Sequence, residues 1–220
     1  MAYWKLLVPI LIMNLALQQY ANAQDWPNLK RYQAANEQLK DSTVKVVYMG
    51  DSITDFWMQY SPEFFTKGFV DRGINAQTTP QMLLRFRQDV IDLKPKAVVI
   101  LAGTNDIAGL SGPSTLKMIE DNIQSMAELG KIHKIKVILC SLLPVTNAHG
   151  GRPADKIAAL NNWIKDYAKS NHFTYVDYYS AMVDNQMNFK EAYNRDGLHP
   201  NKAGYSIMEE LVQNAIKKSI

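Results

Sequence analysis

Three short, almost unbroken apolar runs constrain this chain more than any other feature. They are "VKVVYM" from Val44, "AVVILA" from Ala97 and "VILCSL" from Val137. Each is too short for a buried helix, and the first two are followed directly by glycine, Gly50 and Gly103. Runs of this kind are expected of strands covered on both faces. Between them lie segments with helical spacing. Met82, Leu83, Phe86, Val90 and Leu93 share one face of a predicted helix over 80–93. Leu116, Ile119, Ile123, Met126 and Ala127 share a face over 114–129, with Gly130 expected as its C-cap. Further helices are predicted over 155–170 and 201–217, with Pro200 at the first turn of the last. Weaker strands are expected at 69–72 and 174–177, and residues 26–40 read as a polar helix or arm.

Strands alternating with helices of this length imply right-handed crossovers and a parallel sheet. The expected fold is a three-layer α/β/α sandwich around a five-stranded parallel sheet, doubly wound and flavodoxin-like. In such sheets ligands bind beyond the carboxyl ends of the strands. The loops following Met49, Arg72, Ala102, Leu142 and Asp177 are therefore the ones to search.

The first 23 residues stand apart. Lys5 is the only charge before Asp25, and residues 6–17 are apolar except for Pro9 and Asn14. Ala21-Asn22-Ala23 then supplies small residues where a signal peptidase needs them. This is the pattern of a secretory signal peptide, and the run is too short for a permanent membrane span. The expected mature chain is one domain over 24–220, exported to the periplasm or secreted. With one cysteine, Cys140, no intrachain disulfide is possible, and its place inside an apolar run marks it as a small core residue. A formal charge of +3 without a basic stripe gives no reason to expect a nucleic-acid partner.

The loops at the predicted carboxyl edge hold a coherent set of residues. Gly50-Asp51-Ser52 follows the first strand, and Gly73-Ile74-Asn75-Ala76 the second. Gly103-Thr104-Asn105-Asp106 follows the third, and Asp196-Gly197-Leu198-His199-Pro200 lies after the last. A serine hydroxyl needs a base to act as a nucleophile. His133 and His172 precede strands and so fall on the wrong edge. His149 and His199 fall on the right one, and only His199 has a carboxylate, Asp196, three residues upstream. That spacing lets Asp196 hold the Nδ1 hydrogen and leave Nε2 for Ser52. Oxyanion donors are available from the Ser52 backbone N–H, the Asn105 side-chain amide and the backbone N–H around Ala76. Trp57, Met58 and Tyr60 can form an apolar or sugar-facing wall beside the serine, or simply pack the first helix.

These blocks resemble the SGNH hydrolase superfamily, also called GDSL esterases or lipases. The serine block reads "GDSITDFW", the glycine block "RGINAQTTPQMLLRF", the asparagine block "ILAGTNDIAG" and the histidine block "DGLHPNKAGY". The resemblance runs from about Val44 to the C-terminus, and within the family it is strongest to small bacterial proteins related to platelet-activating-factor acetylhydrolase subunits. It implies Ser52 as nucleophile, Asp196 and His199 as its partners, Asn105 as an oxyanion donor, and no metal or organic cofactor. One position departs: the family's block resembles "GISGQTT", so Ala76 stands where the oxyanion glycine is expected, and Gly73 reads as a turn residue. The expected substrate is a small acyl ester, chiefly acetyl, with carbohydrate as the expected alcohol. Lysophospholipid or thioester hydrolysis is the rival, and a carbohydrate- or lipid-binding protein on a weakened scaffold is the reading from another class. The elbow G-x-S-x-G of the α/β-hydrolases fails at Thr54.

Overall fold

The computed structural model describes residues 25–220. The leader assigned to residues 1–23 lies outside the described residues. In chain order the helices are α1 Gln33–Gln38, α2 Ser52–Asp55, α3 Trp57–Tyr60, α4 Thr79–Asp89, α5 Thr104–Ile107, α6 Leu116–Ile132, α7 Ala154–Asn171, α8 Tyr178–Met182 and α9 Lys202–Ser219. The strands are β1 Val46–Gly50, β2 Phe69–Gly73, β3 Ala97–Leu101, β4 Lys136–Cys140 and β5 Thr174–Val176. All pair in parallel, in the order β2-β1-β3-β4-β5. This is the flavodoxin-like order expected from the sequence, with its reversal between β1 and β3.

Alternate residues of each strand feed two cores. Val47, Met49, Val98, Ile100, Val137 and Leu139 face the side covered by α4, α6 and α7. Val46, Tyr48, Val99, Leu101, Ile138 and Cys140 face the side covered by α2, α3, α8 and α9. Cys140 is buried in this second core, as its apolar setting suggests. Ring packing is dense there. Trp57 stacks on Phe64 with centroids 5.0 Å apart, and Tyr48 meets Trp57 and Phe64 edge-on at 5.8 and 5.5 Å. Each such pair adds about 0.5–1.5 kcal/mol beyond the area it buries.

Several local expectations change. Gly130 is not a C-cap: α6 continues to Ile132, and the chain turns at His133 and at Lys134, whose φ is +61°. Gly130 lies inside the helix because a Cβ there would stand 2.9 Å from Val137 Cγ2 on β4. Pro200 lies one residue before the N-cap of α9, which is Asn201, whose Oδ1 accepts the Gly204 N–H at 3.0 Å. The predicted helix over 80–93 divides into α4 and a 3-10 turn at Ile91–Leu93, broken at the β-branched Val90. Of the arm, only Gln33–Gln38 is helical. Trp57 is 1% exposed and belongs to the core, so it walls nothing.

Gly73 is also reassigned. It ends β2 rather than forming a turn, and it pairs with Gly50 across the ladder. A Cβ on Gly73 would lie 2.1 Å from the Asp55 backbone nitrogen, so only glycine lets α2 sit this close to the sheet. Because the obstacle is backbone, it cannot rotate away. Gly73→Ala is expected to cost about 3 kcal/mol through overpacking, measured by chemical denaturation. A variant within about 0.5 kcal/mol of wild type, the range of a harmless surface change, would contradict this role.

Candidate active site

The switch point between β1 and β3 gathers the loops singled out above. Ser52 is the first residue of α2 and is almost fully buried. Asp51 caps that helix by accepting the Ile53 N–H at 2.9 Å. Its other carboxylate oxygen is buried without a hydrogen-bond partner among the described residues, and burial pushes the carboxyl up to about 7.

Ser52 and His199, 147 residues apart in sequence, meet here: Ser52 Oγ lies 2.9 Å from His199 Nε2. His199 Nδ1 lies 2.9 Å from Asp196 Oδ2 and 3.1 Å from Oδ1. Asp196 Oδ1 also accepts the backbone N–H groups of Leu198 and His199, at 3.1 and 2.8 Å. The local loop thus folds around the carboxylate, and Gly197 between them takes φ +89°. Burial raises the Asp196 pKa, but bonds from the His199 backbone and ring, from Arg195 and from Leu198 outweigh it and hold the carboxyl well below the usual range. Burial pushes the His199 imidazole below its ordinary 6.5, and Asp196 only partly opposes this. A neutral imidazole aimed at a serine hydroxyl, with an ionised carboxylate behind it, can take the hydroxyl proton and hold the resulting charge.

Contacts of α9 with α2 and α3 fix this encounter. Tyr205 of α9 donates its hydroxyl hydrogen to the Ile53 carbonyl at 2.9 Å, and Trp57 Nε1 donates to Glu209 Oε1 at 3.0 Å. The helix that follows His199 is therefore fastened to the helices that begin at Ser52.

The remaining predicted residues gather from the other loops. Ala76 is exposed and takes φ +63°, a left-handed conformation that glycine adopts more readily. Its backbone N–H has no acceptor among the described residues. Asn105 is buried, and its Nδ2 donates to the Gln77 carbonyl at 3.0 Å, tying it to the loop that carries Ala76. Met58 is exposed, and Tyr60 is half-buried with its hydroxyl 3.3 Å from Arg195 Nη1. His149 lies beside Gly197, where a Cβ would stand 3.5 Å from its Nδ1. Among the described residues no group of three or more His, Cys, Asp or Glu side chains is placed to hold a metal ion.

Two arginines escaped the reading of the sequence. Arg195 Nη2 and Nε donate to Asp196 Oδ2 at 3.0 and 3.2 Å, and its guanidinium lies 5.2 Å from the Phe56 ring, itself 5.1 Å from the His199 ring. Its position next to Asp196 was the available signal. Arg152 donates from Nη2 to Asn105 Oδ1 at 2.7 Å. Nothing in a Gly-Gly-Arg-Pro loop announces that contact.

Comparison with known proteins places the chain in a family. The sequence model of the GDSL-like Lipase/Acylhydrolase family matches residues 48–207. A crystal structure of a candidate acylhydrolase from Bacteroides fragilis is 44% identical, with a TM-score of 0.83 over 88% of this chain and 97% of that one. A GDSL-like lipase from Bacteroides thetaiotaomicron is likewise 44% identical, with a TM-score of 0.81 over 88% and 99% of the two chains. An uncharacterized lipoprotein of Bacillus subtilis is 38% identical over 84 residues, which span 37% of this chain and only 35% of that relative. With a family match across most of its length and near-complete coverage of two similar structures, this chain belongs to the GDSL-like lipase/acylhydrolase family.

Proposed function

We propose that the chain is a serine esterase that hydrolyses small acyl esters, chiefly acetyl, by way of an acyl-enzyme. The observation that carries this reading is the continuous line from Ser52 Oγ through the His199 ring to Asp196, with contacts of 2.9 Å on each side of the ring. In this mechanism Ser52 Oγ attacks the ester carbonyl while His199 Nε2 takes its proton. Asp196 stays ionised, fixes the tautomer and offsets the imidazolium charge. The backbone N–H groups of Ser52 and Ala76 and the Asn105 amide face the developing oxyanion. His199 then returns the proton to the departing alcohol. Water, deprotonated by His199, attacks the acyl-Ser52 carbonyl and releases the acid.

Ala76 supports the acetyl preference. Its methyl group occupies space that a glycine leaves to the acyl chain. Carbohydrate is the proposed alcohol, since Phe56, Tyr60 and Arg195 offer two rings and hydrogen-bonding tips beside His199. Hydrolysis of lysophospholipids or thioesters is the rival within the same chemistry. The left-handed Ala76 also favours a second reading, a carbohydrate- or lipid-binding protein with weakened turnover. Residues 1–23 serve in this proposal as a cleaved export signal.

Ser52→Ala is expected to reduce hydrolysis of acetylated sugars and p-nitrophenyl acetate to background, measured by acid release. Equal turnover by wild type and S52A would leave only the binding reading, and preference for long-chain esters would replace deacetylation. Since His199 acts as a base only when neutral, kcat/KM should fall as pH drops through its pKa, and the acid limb should lie below 6.5. Arg195→Gln removes a positive charge that pushes this pKa down, so the limb should move to higher pH; an unmoved limb would remove Arg195 from the tuning of His199. Ala76→Gly relieves the left-handed strain and is expected to raise stability by about 0.5–1 kcal/mol. The same variant should improve turnover of propionyl and butyryl esters relative to acetyl. An unchanged acyl preference would show that the methyl does not limit the pocket.

A further inference from the structure

We propose that Arg152 is the positioning residue of the oxyanion site: it fixes which way the Asn105 amide points and strengthens that amide as a donor. This role presupposes the esterase reading, in which Asn105 Nδ2 faces the oxyanion.

A side-chain amide has nearly the same shape in either orientation, so its partners decide which end is nitrogen. Asn105 has partners that leave no choice. Arg152 has only donors, and its Nη2 lies 2.7 Å from Oδ1. The Gln77 carbonyl only accepts, and it lies 3.0 Å from Nδ2. One Nδ2 hydrogen is used there, and the second has no acceptor among the described residues. Arg152 also holds the backbone beside Asn105, because its Nε donates to the Thr104 carbonyl at 3.1 Å. The planar guanidinium thus grips main chain and side chain of one loop together, which a lysine cannot reproduce.

The charge is applied where it can act. Arg152 is 5% exposed and has no carboxylate oxygen within ion-pair distance among the described residues, and the buried Asp51 carboxylate acts on it only from farther off. Its remaining contacts are the His149 and Gly150 carbonyls, each 3.2 Å from Nη1. A guanidinium bonded to an amide oxygen draws electron density from the amide and makes its N–H groups better donors. The same contacts hold a loop in which Asn147, Ala148, Gly150 and Gly151 all take positive φ. That loop lies between β4 and α7, so a third segment of chain is locked to the oxyanion donor.

The test is a double-mutant cycle on p-nitrophenyl acetate. Arg152→Met is expected to lower kcat by about tenfold or more, approaching the effect of losing an oxyanion donor, with KM changed less than about twofold, as for an interaction made only in the transition state. In an Asn105→Ala background the same substitution should cost less than about twofold in kcat, because the group it acts through is gone. Arg152→Lys should recover part of the loss. If Arg152→Met does not fold, Arg152→Lys replaces it in the cycle and must show the same coupling to Asn105. A full loss repeated in the Asn105→Ala background would mean that Arg152 only supports its loop, and overturns the proposal; so does unchanged kcat in a folded Arg152→Met. Ser52→Ala runs beside them: an Arg152→Met with unchanged kcat next to a dead S52A counts against the clamp and not against the esterase.

Discussion

The contact on which the site depends is the seating of α9 against α2 and α3. Ser52 follows the first strand and His199 precedes the last helix, so no local folding rule brings them together. Tyr205, buried between the helices, donates to the Ile53 carbonyl, and Glu209 accepts from Trp57. Both partners on the serine side lie within five residues of Ser52. Met208, Val212 and Ile216 bury the rest of that helix face against the sheet. At about 25 cal/mol per Å² of apolar surface, burial of that face is the driving force. The two hydrogen bonds mainly set where along its axis the helix stops. A shift of one helical turn, about 5.4 Å, would leave the imidazole out of reach of the hydroxyl.

The opposite flank is held by polar groups. Arg85 is fully buried in an ion pair with Asp89, and it also donates to Gln77 Oε1 and to the Gly50 carbonyl at the end of β1. Burying such a pair costs several kcal/mol per ion unless the remaining donors are satisfied. Here the donors go to the strand end before Ser52 and to the loop after Ala76. The N-terminal arm completes this support. Tyr32 donates to the Gly73 carbonyl, Asn36 accepts from Arg72 at 2.7 and 2.9 Å, and Gln77 Nε2 donates to the Pro27 carbonyl at 2.6 Å. Residues that read as a polar arm therefore act as a strap across the loop carrying Ala76. The strain of a left-handed alanine persists because its surroundings are fixed on both sides.

The sequence pattern identified the three central strands most clearly because β1, β3 and β4 lie in short apolar runs, and the alternation of strands with helices leaves few topologies. Most boundaries moved by one to three residues, but the helix expected over 80–93 ends at Asp89 and the arm expected over 26–40 is helical only over Gln33–Gln38. Gly130 looked like a helix end because glycine usually ends helices, but contact with Val137 required a missing side chain inside one. Gly73 looked like a turn for the same reason, and contact with α2 decided otherwise. Asp196 and His199 were legible because their bond is local, within four residues. Arg152 was not, because its partners Thr104 and Asn105 are 48 and 47 positions away.

The amino-acid sequence by itself determined the doubly wound class, the sheet edge at which the candidate site gathers, and Ser52, Asn105, Asp196 and His199 as the residues to look for there. Those follow from patterns that repeat over a few residues and from the chemistry that each side chain carries. The tertiary structure alone decided that Trp57 is core, that Gly73 makes room for a helix, and that Arg195 and Arg152 stand behind Asp196 and Asn105. These depend on distances between segments far apart in the chain, which packing sets and which no local pattern encodes.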